Sequence, residues 1–410
     1  MAAKPEQWLE CLVCHRRQEV AAVLGGCPHC ASDGRKSPLE MRYDYTCAAA
    51  VAREECAPGI WRWSALLPRV GEANRISLGE GNTPLVPIRA GGPRLMLKNE
   101  TGNPTWSYKD RANCISISAA REFGFQRIFA SSTGNHGNAA AAYSAAGGMR
   151  CVIFCHPNAP NLQLALMRHY GASVFLGGSQ KALGRALVAR GDWFPSSILC
   201  PRDGYANPFG VEGFKTIAFE IVEQLGGKAP DRVYAPVGSG DGFYGVWKGF
   251  VELHKTGVID RLPRMITCQA SGANPYVLAF RRGDRTMRAN ASANTIALSI
   301  AEKIGGDAAL HAVYDSGGSA LEVDDDEIVS TAKALAREGF AVEPASAAAV
   351  ACARREAVQQ YSGETWITIG TGATVKWPES ICTGFVRPAP LPRDFADVDQ
   401  LIAQTEGGSS

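Results

Sequence analysis

No run of about 18 or more apolar residues interrupts the 410-residue chain, so no membrane-spanning helix is expected. Charge of one sign is missing too. The 42 Lys and Arg residues are interleaved with 40 Asp and Glu, for a formal net charge of +2. That balance provides no basic face for nucleic acid or an anionic membrane surface, and small partners are expected instead. The first residues, MAAKPEQWLECLVC, lack the apolar core and small-residue cleavage site of a secretory signal, which predicts a cytoplasmic protein. Repeats and low-complexity tracts are absent as well. What is present is an ordinary globular composition, 46% hydrophobic, long enough for two or three domains.

The 13 cysteines are odd in number, and most, such as Cys114, Cys151 and Cys352, stand singly in apolar or helical runs. Those read as reduced, buried thiols. Four behave differently. Cys11-Leu-Val-Cys14 and Cys27-Pro-His-Cys30 are two CxxC pairs, each able to present two thiolates from one tight turn. Together they predict a tetrahedral Zn2+ site of the ribbon type, structural because four protein ligands leave no open position. His15 and His29 flank the turns and read as bystanders.

From 41 to 75, RYDYTCAAAV and GIWRWSALLPRV read as an aromatic-rich packing arm. Beyond it, short β-like runs alternate with helical ones. Strands are predicted at Arg127–Ser131, Arg150–Phe154, Ala172–Phe175, Asp231–Pro236, Met265–Gln269 and Thr365–Ile369. Helices are predicted near Asn138–Ala146, Asn161–Tyr170 and Phe243–His254. Such alternation argues for parallel sheets in an α/β fold.

Three motifs carry chemistry. In Asn103-Pro-Thr-Trp-Ser-Tyr-Lys109-Asp-Arg111, a lysine sits in a turn among polar and aromatic residues, where desolvation would make it a usable Schiff-base nucleophile. Ser131-Ser-Thr-Gly-Asn135-His-Gly-Asn138 joins a strand to a helix, and its amides could hold an anion such as a carboxylate. Gly238-Ser-Gly-Asp-Gly242 follows a strand and opens a helix, the geometry of a phosphate cradle, with Asp241 expected outside as a helix cap. Singly, each is weak: most lysines are solvated, and Ser, Thr and Asn are ordinary helix caps.

Their order changes the reading. Gly79-Glu-Gly-Asn-Thr83-Pro-Leu85, Leu97-Lys-Asn-Glu100, the lysine turn, the Ser-Thr-Gly-Asn turn, the glycine cradle and Val342-Glu-Pro-Ala-Ser-Ala-Ala348 together resemble the threonine synthase family, within the β-family (fold type II) of pyridoxal 5'-phosphate (PLP) enzymes. The likeness covers most of 41–380. It implies two open, twisted α/β domains with the cofactor in the interdomain cleft, preceded by a small zinc-ribbon-like module. The implied boundaries are 1–40 for the module, 41–111 with 211–400 for the large PLP-binding domain, and 112–210 for the small substrate-side domain. A disordered tail is expected at 401–410. A homodimer is implied too.

Residue by residue, the resemblance implies that Lys109 carries PLP as a Schiff base and then serves as base and acid at the substrate carbons. Asn135 would bond the cofactor's 3-hydroxyl, and Gly238, Ser239, Gly240, Asp241 and Gly242 would hold its phosphate. Thr371 would face the pyridine nitrogen, and a hydroxyl there leaves the ring largely unprotonated, which favours elimination and replacement over transamination. Thr83, Trp106, Ser107, Ser132, Thr133 and His136 are the substrate-side candidates.

The departures from the family pattern gather near the substrate. Trp106 replaces a glycine and Tyr108 a phenylalanine, Gly210 stands where an arginine is expected, and Ala373 where a histidine is. Lys98, Arg168 or Lys215 could compensate for the lost cation. Otherwise the substrate has changed, because bidentate anion sites tolerate such losses poorly. The first expectation is conversion of O-phosphohomoserine to threonine and phosphate. The alternative is β-replacement or β-elimination on a serine- or phosphoserine-type substrate. A third reading, from another class, is a ribbon-bearing scaffold without activity, against which the retained Lys109, Asn135, cradle and Thr371 argue.

Overall fold

The computed structural model describes residues 5–34, 36–47, 53–177, 180–196, 198–359 and 363–378. The tail expected at 401–410 lies outside them.

The chain begins with a three-stranded antiparallel sheet of β1 (Gln7–Cys11), β2 (Arg17–Gln18) and β3 (Leu39–Tyr43), in the order β2-β1-β3. Leu9, Leu39, Met41 and Tyr43 bury one side of it. The aromatic arm follows as a 3-10 segment, Gly59–Leu66, with Trp61 and Trp63 buried. The Trp61 indole donates to the Ile76 carbonyl at 3.1 Å, which satisfies its polar end inside the core.

Two strands, β4 (Leu85–Pro87) and β5 (Arg94–Asn99), open the larger sheet. Helix α1 (Lys109–Glu122) then leads to a second sheet, built from β6 (Arg127–Ser131), β7 (Arg150–Cys155), β8 (Ser173–Leu176) and β9 (Phe194–Pro195). Its order is β8-β7-β6-β9 with every pairing parallel, and α2 (Asn135–Ala146) connects β6 to β7. Helix α3 (Gly210–Gln224) returns the chain to the larger sheet. There β10 (Arg232–Pro236), α4 (Asp241–Lys255), β11 (Arg264–Ala270), β12 (Ser319–Val323), α5 (Pro344–Ala357) and β13 (Thr365–Gly370) complete the order β12-β11-β10-β13-β5-β4. Only β4 among these strands runs antiparallel to its neighbour. The expected α/β architecture with two twisted sheets is present.

Helices α1, α3 and α4 approach at backbone distance, and glycine makes this possible. A Cβ on Gly213 would lie 2.0 Å from the Arg111 carbonyl oxygen, and one on Gly249 would lie 2.4 Å from that of Lys215. Close approach thus fixes the start of α1 on the start of α3, and α3 in turn on the middle of α4. Because β10, β13 and β5 are neighbours, the turns that follow them also converge at one edge of the sheet, beyond the strands' carboxyl ends, where open parallel sheets bind ligands.

Candidate active site

The turn after β5 delivers Lys109 as the first residue of α1. Its Nζ lies 5.0 Å from the ring centroid of Tyr108 and 5.2 Å from that of Phe214. A buried network fixes the turn. Asp110 accepts from the Thr105 amide at 2.7 Å and from the Thr105 hydroxyl at 2.5 Å, while Lys376 Nζ donates to the Thr105 carbonyl at 2.6 Å. Burial pushes the Asp110 carboxyl up to about 7 and the Lys376 ammonium down to about 8.

Backbone pairing ties this turn to the one after β13. The Tyr108 amide donates to the Thr371 carbonyl and the Ala373 amide to the Trp106 carbonyl, each at 2.9 Å, with Ser107 and Gly372 bridged between them. Trp106 pays for its position in strain: its φ is +58°, a left-handed conformation rare for a bulky residue, and its ring is 39% exposed. The glycine of the family pattern would adopt that φ freely. Ser107 is buried, and its hydroxyl has no partner among the described residues.

Lys109 lines one pocket with Gly238, Ser239, Gly240 and Gly242 of the turn after β10. Gly240 caps α4 at φ +100°, and a Cβ there would lie 2.2 Å from the Tyr276 hydroxyl, so only glycine fits. The Tyr276 hydroxyl donates to the Ser239 carbonyl at 3.1 Å, and the Gly306 amide donates to it at 2.8 Å. The turn is thus held open from behind. Asp241 corrects the expectation of an exposed cap. It is buried, the cap position belongs to Gly240, and its carboxylate accepts from the Leu199 amide at 3.4 Å. Keeping the carboxylate engaged there limits its repulsion of an anion in the cradle.

Asn135 and Thr371, from different sheets, meet at a residue that sequence reasoning missed. Asn135 Nδ2 and Thr371 Oγ1 donate to the two carboxylate oxygens of buried Glu343, each at 2.8 Å. Ser346 Oγ stands 3.1 Å from Thr371 Oγ1. The Asn135 side-chain oxygen is buried without a partner among the described residues. Glu343 lies in the Val342–Ala348 motif, and an acidic residue directly before a helix-opening proline was the available signal.

The remaining substrate-side candidates divide. His136 Nδ1 lies 3.3 Å from Asn113 Nδ2, and burial, with the nearby Lys109 charge, drives its imidazole down to about 3, so it is neutral. Ser132 accepts from the Gly137 amide at 3.0 Å and so stabilises the first turn of α2, while Thr133 beside it is half-buried. Thr83 is not brought to the pocket. Its hydroxyl donates to Glu100 at 2.6 Å and accepts from Arg111 at 3.1 Å within a buried ion cluster. In that cluster Lys98 pairs with Glu220 at 2.7 Å, and Arg111 pairs with Glu100 at 2.7 Å and Glu220 at 2.8 Å.

The same enclosure rules out two of the three suggested compensating cations. Lys98 is sealed in that cluster, and Lys215 is sealed between Glu212 and Glu252. Arg168 is exposed on the helix Asn161–His169. Gly210 opens α3 and is buried.

Beside the three-stranded sheet, the sulfur atoms of Cys11, Cys14, Cys27 and Cys30 all lie within 4.8 Å of one another. Cys11–Cys30 and Cys14–Cys27 are each 3.8 Å apart. A ZnS4 tetrahedron with bonds of about 2.3 Å has edges of about 3.8 Å, so the donor set and its spacing suit Zn2+.

Comparison with known proteins adds an independent line. The family model described as pyridoxal-phosphate dependent enzyme matches residues 76–372. The threonine synthase of Methanocaldococcus jannaschii is 34% identical, covering 96% of this chain and 99% of its own, and that of Methanosarcina acetivorans is 34% identical over 96% and 98%. Among solved structures, maize serine racemase superposes with a TM-score of 0.60 at 20% identity, covering 80% of this chain and 92% of its own. The processed form of threonine deaminase isoform 2 from Solanum lycopersicum gives 0.61 at 20% identity, covering 78% and 92%.

Proposed function

The chain belongs to the pyridoxal-phosphate-dependent enzyme family, as a threonine synthase-like lyase, and from that premise we propose that it converts O-phosphohomoserine to threonine and phosphate. The observation that carries the assignment of the site is the shared pocket of Lys109 and the Gly238–Gly242 turn. The residues fit the cofactor on three counts: a lysine amine in the pocket, a cradle whose turn admits only glycine at Gly240, and an Asn135 oxygen buried without a partner among the described residues.

When bound, PLP supplies an electron sink for negative charge developing at the substrate's α-carbon. Lys109 would hold it through Nζ, and the same amine is placed to hold or move a proton at the substrate carbons. The amides of Gly238 to Gly242 bind the phosphate, helped by the positive end of α4. Asn135 and Thr371 would hydrogen-bond the cofactor's ring, and Glu343, which accepts from both, sets their spacing. His136, being neutral, offers a hydrogen bond near the substrate without drawing charge from Lys109. Trp106, Ser107, Ser132 and Thr133 border the substrate side, whereas Thr83 acts through the ion cluster beneath it. Cys11, Cys14, Cys27 and Cys30 hold a structural Zn2+, and the working form is a cytoplasmic homodimer.

The second reading is β-replacement or β-elimination on a serine- or phosphoserine-type substrate. The strained Trp106 beside the lysine turn and the enclosure of Lys98 and Lys215 favour it, since both disfavour a longer phosphorylated substrate. Release of threonine and phosphate from O-phosphohomoserine tests the first reading. Turnover of serine or phosphoserine without it would establish the second.

A further inference from the structure

We propose that the Tyr108 hydroxyl is a hydrogen-bond donor to the cofactor's phosphate, an anchor added to the glycine cradle. The proposal rests on the reading that Gly238–Gly242 holds that phosphate.

Tyr108 lines the pocket together with Lys109, Gly238, Gly240 and Gly242. Its ring lies flush on the cradle. A Cβ at Gly242 would be 2.6 Å from the ring edge and 2.9 Å from the hydroxyl oxygen. Gly242 is the second residue of α4, among the first-turn amides that no carbonyl of the helix satisfies. The phenol and those amides therefore present donors to the same small volume.

The ring is fixed on its other side. Phe214 packs against it with centroids 4.8 Å apart, and the Tyr108 amide is bonded to Thr371. The hydroxyl is delivered by a held scaffold, so little rotamer freedom is lost when it bonds an anion. Among the described residues no carboxylate or carbonyl accepts from it. Burial raises the phenol's pKa against the lowering effect of the Lys109 ammonium, and the Glu343 and Asp241 carboxylates raise it further, which keeps its proton in place for donation.

The cradle also has a need that the hydroxyl answers. Among the residues lining the pocket Lys109 is the one cation, and it is engaged in attachment. A phosphate dianion is otherwise met by backbone amides and by the hydroxyls of Ser239 and Ser299, all of them neutral donors. The family pattern has phenylalanine at this position, which supplies the ring and not the hydroxyl. That makes Tyr108→Phe a substitution the fold accommodates.

The rival role is proton transfer at Lys109, and comparing cofactors with and without phosphate separates the two. Apoprotein of the wild type and of Tyr108→Phe is titrated with PLP and with pyridoxal, following the visible absorbance of the lysine-bound cofactor. The Kd for PLP is expected to rise about tenfold in the variant, the effect of one hydrogen bond to a charged group, with the Kd for pyridoxal unchanged. The 31P resonance of bound PLP should shift as well. An unchanged Kd for PLP, or equal weakening of both cofactors, overturns the assignment of Tyr108 and leaves the cofactor site standing. If wild-type protein forms no lysine-bound cofactor, the reading of the site falls and this proposal with it.

Discussion

At the scale of single residues, the site combines one strained position with several protected charges. Trp106 holds φ +58°, a conformation that costs a non-glycine residue about 1–3 kcal/mol, while glycine gives back about 0.4–1 kcal/mol through its freer unfolded chain. Strain relief is the larger quantity, so Trp106→Gly is expected to stabilise the protein by about 1 kcal/mol, measured by denaturant unfolding. The same change removes an indole beside the lysine turn and should lower KM for O-phosphohomoserine relative to serine. His136 makes a prediction with a definite sign. Its folded pKa, about 3, lies below the ordinary value of about 6.5, so the unfolded chain takes up a proton first on acidification. Its contribution is present above pH 6.5 and declines as pH falls towards 3. Unfolding at pH 7 and pH 5 should show a smaller loss of stability for His136→Gln than for wild type; equal losses would contradict the burial of a neutral imidazole. Legibility was uneven at this scale. Lys109, Asn135 and Thr371 stood in motifs, whereas the roles of Glu343 and Thr83 depend on contacts between residues far apart in sequence, such as Asn135 with Glu343 and Arg111 with Glu220, which no local pattern reveals.

At the scale of elements, two turns decide whether the cofactor is held. The turn from β10 into α4 needs Gly240, because φ is +100° and the Tyr276 hydroxyl fills the space a Cβ would take. Gly240→Ala is expected to weaken PLP binding at least about tenfold with the rest of the fold retained, read as loss of visible absorbance at limiting PLP beside unchanged far-ultraviolet circular dichroism. Unimpaired binding would mean that the cradle opens elsewhere. Strands β6, β7, β10, β11 and β13 could be read from sequence because each is a short β-branched or aromatic run bounded by turn residues. Strand β9 has two residues and β4 three, too short for a period to register. Strand β12 alternates less cleanly, and as an edge strand it pairs with β11 alone among the described strands. Helix α2 starts at Asn135, ahead of the predicted Asn138, since Gly134 and the Ser132 hydroxyl begin it without an apolar signal.

At the scale of the whole molecule, the cysteine-bearing sheet is fastened to the catalytic body by buried polar contacts. Tyr43 donates to Glu212 at 2.8 Å, and Tyr244 of α4 donates to Glu40 at 2.7 Å. Lys36 Nζ reaches the Arg202 carbonyl at 2.8 Å, and Arg202 in turn donates to the carbonyls of Ile304 and Gly305. Metal analysis should find one Zn2+ per chain and none in Cys27→Ser, with faster proteolysis of the first 40 or so residues in that variant, since structural zinc sites supply folding energy to modules this small. Retention of zinc by Cys27→Ser would contradict a four-thiolate site. The CxxC spacing made this module legible, but its polar attachment to α3 and α4 was not, because those partners lie far along the chain. The central claim concerns Lys109, and the most direct measurement is borohydride reduction of the PLP-loaded protein followed by peptide mass mapping. A single pyridoxyl adduct on Lys109, lost in Lys109→Ala, is the predicted result. An adduct on another lysine, or none while PLP is bound, would contradict the account.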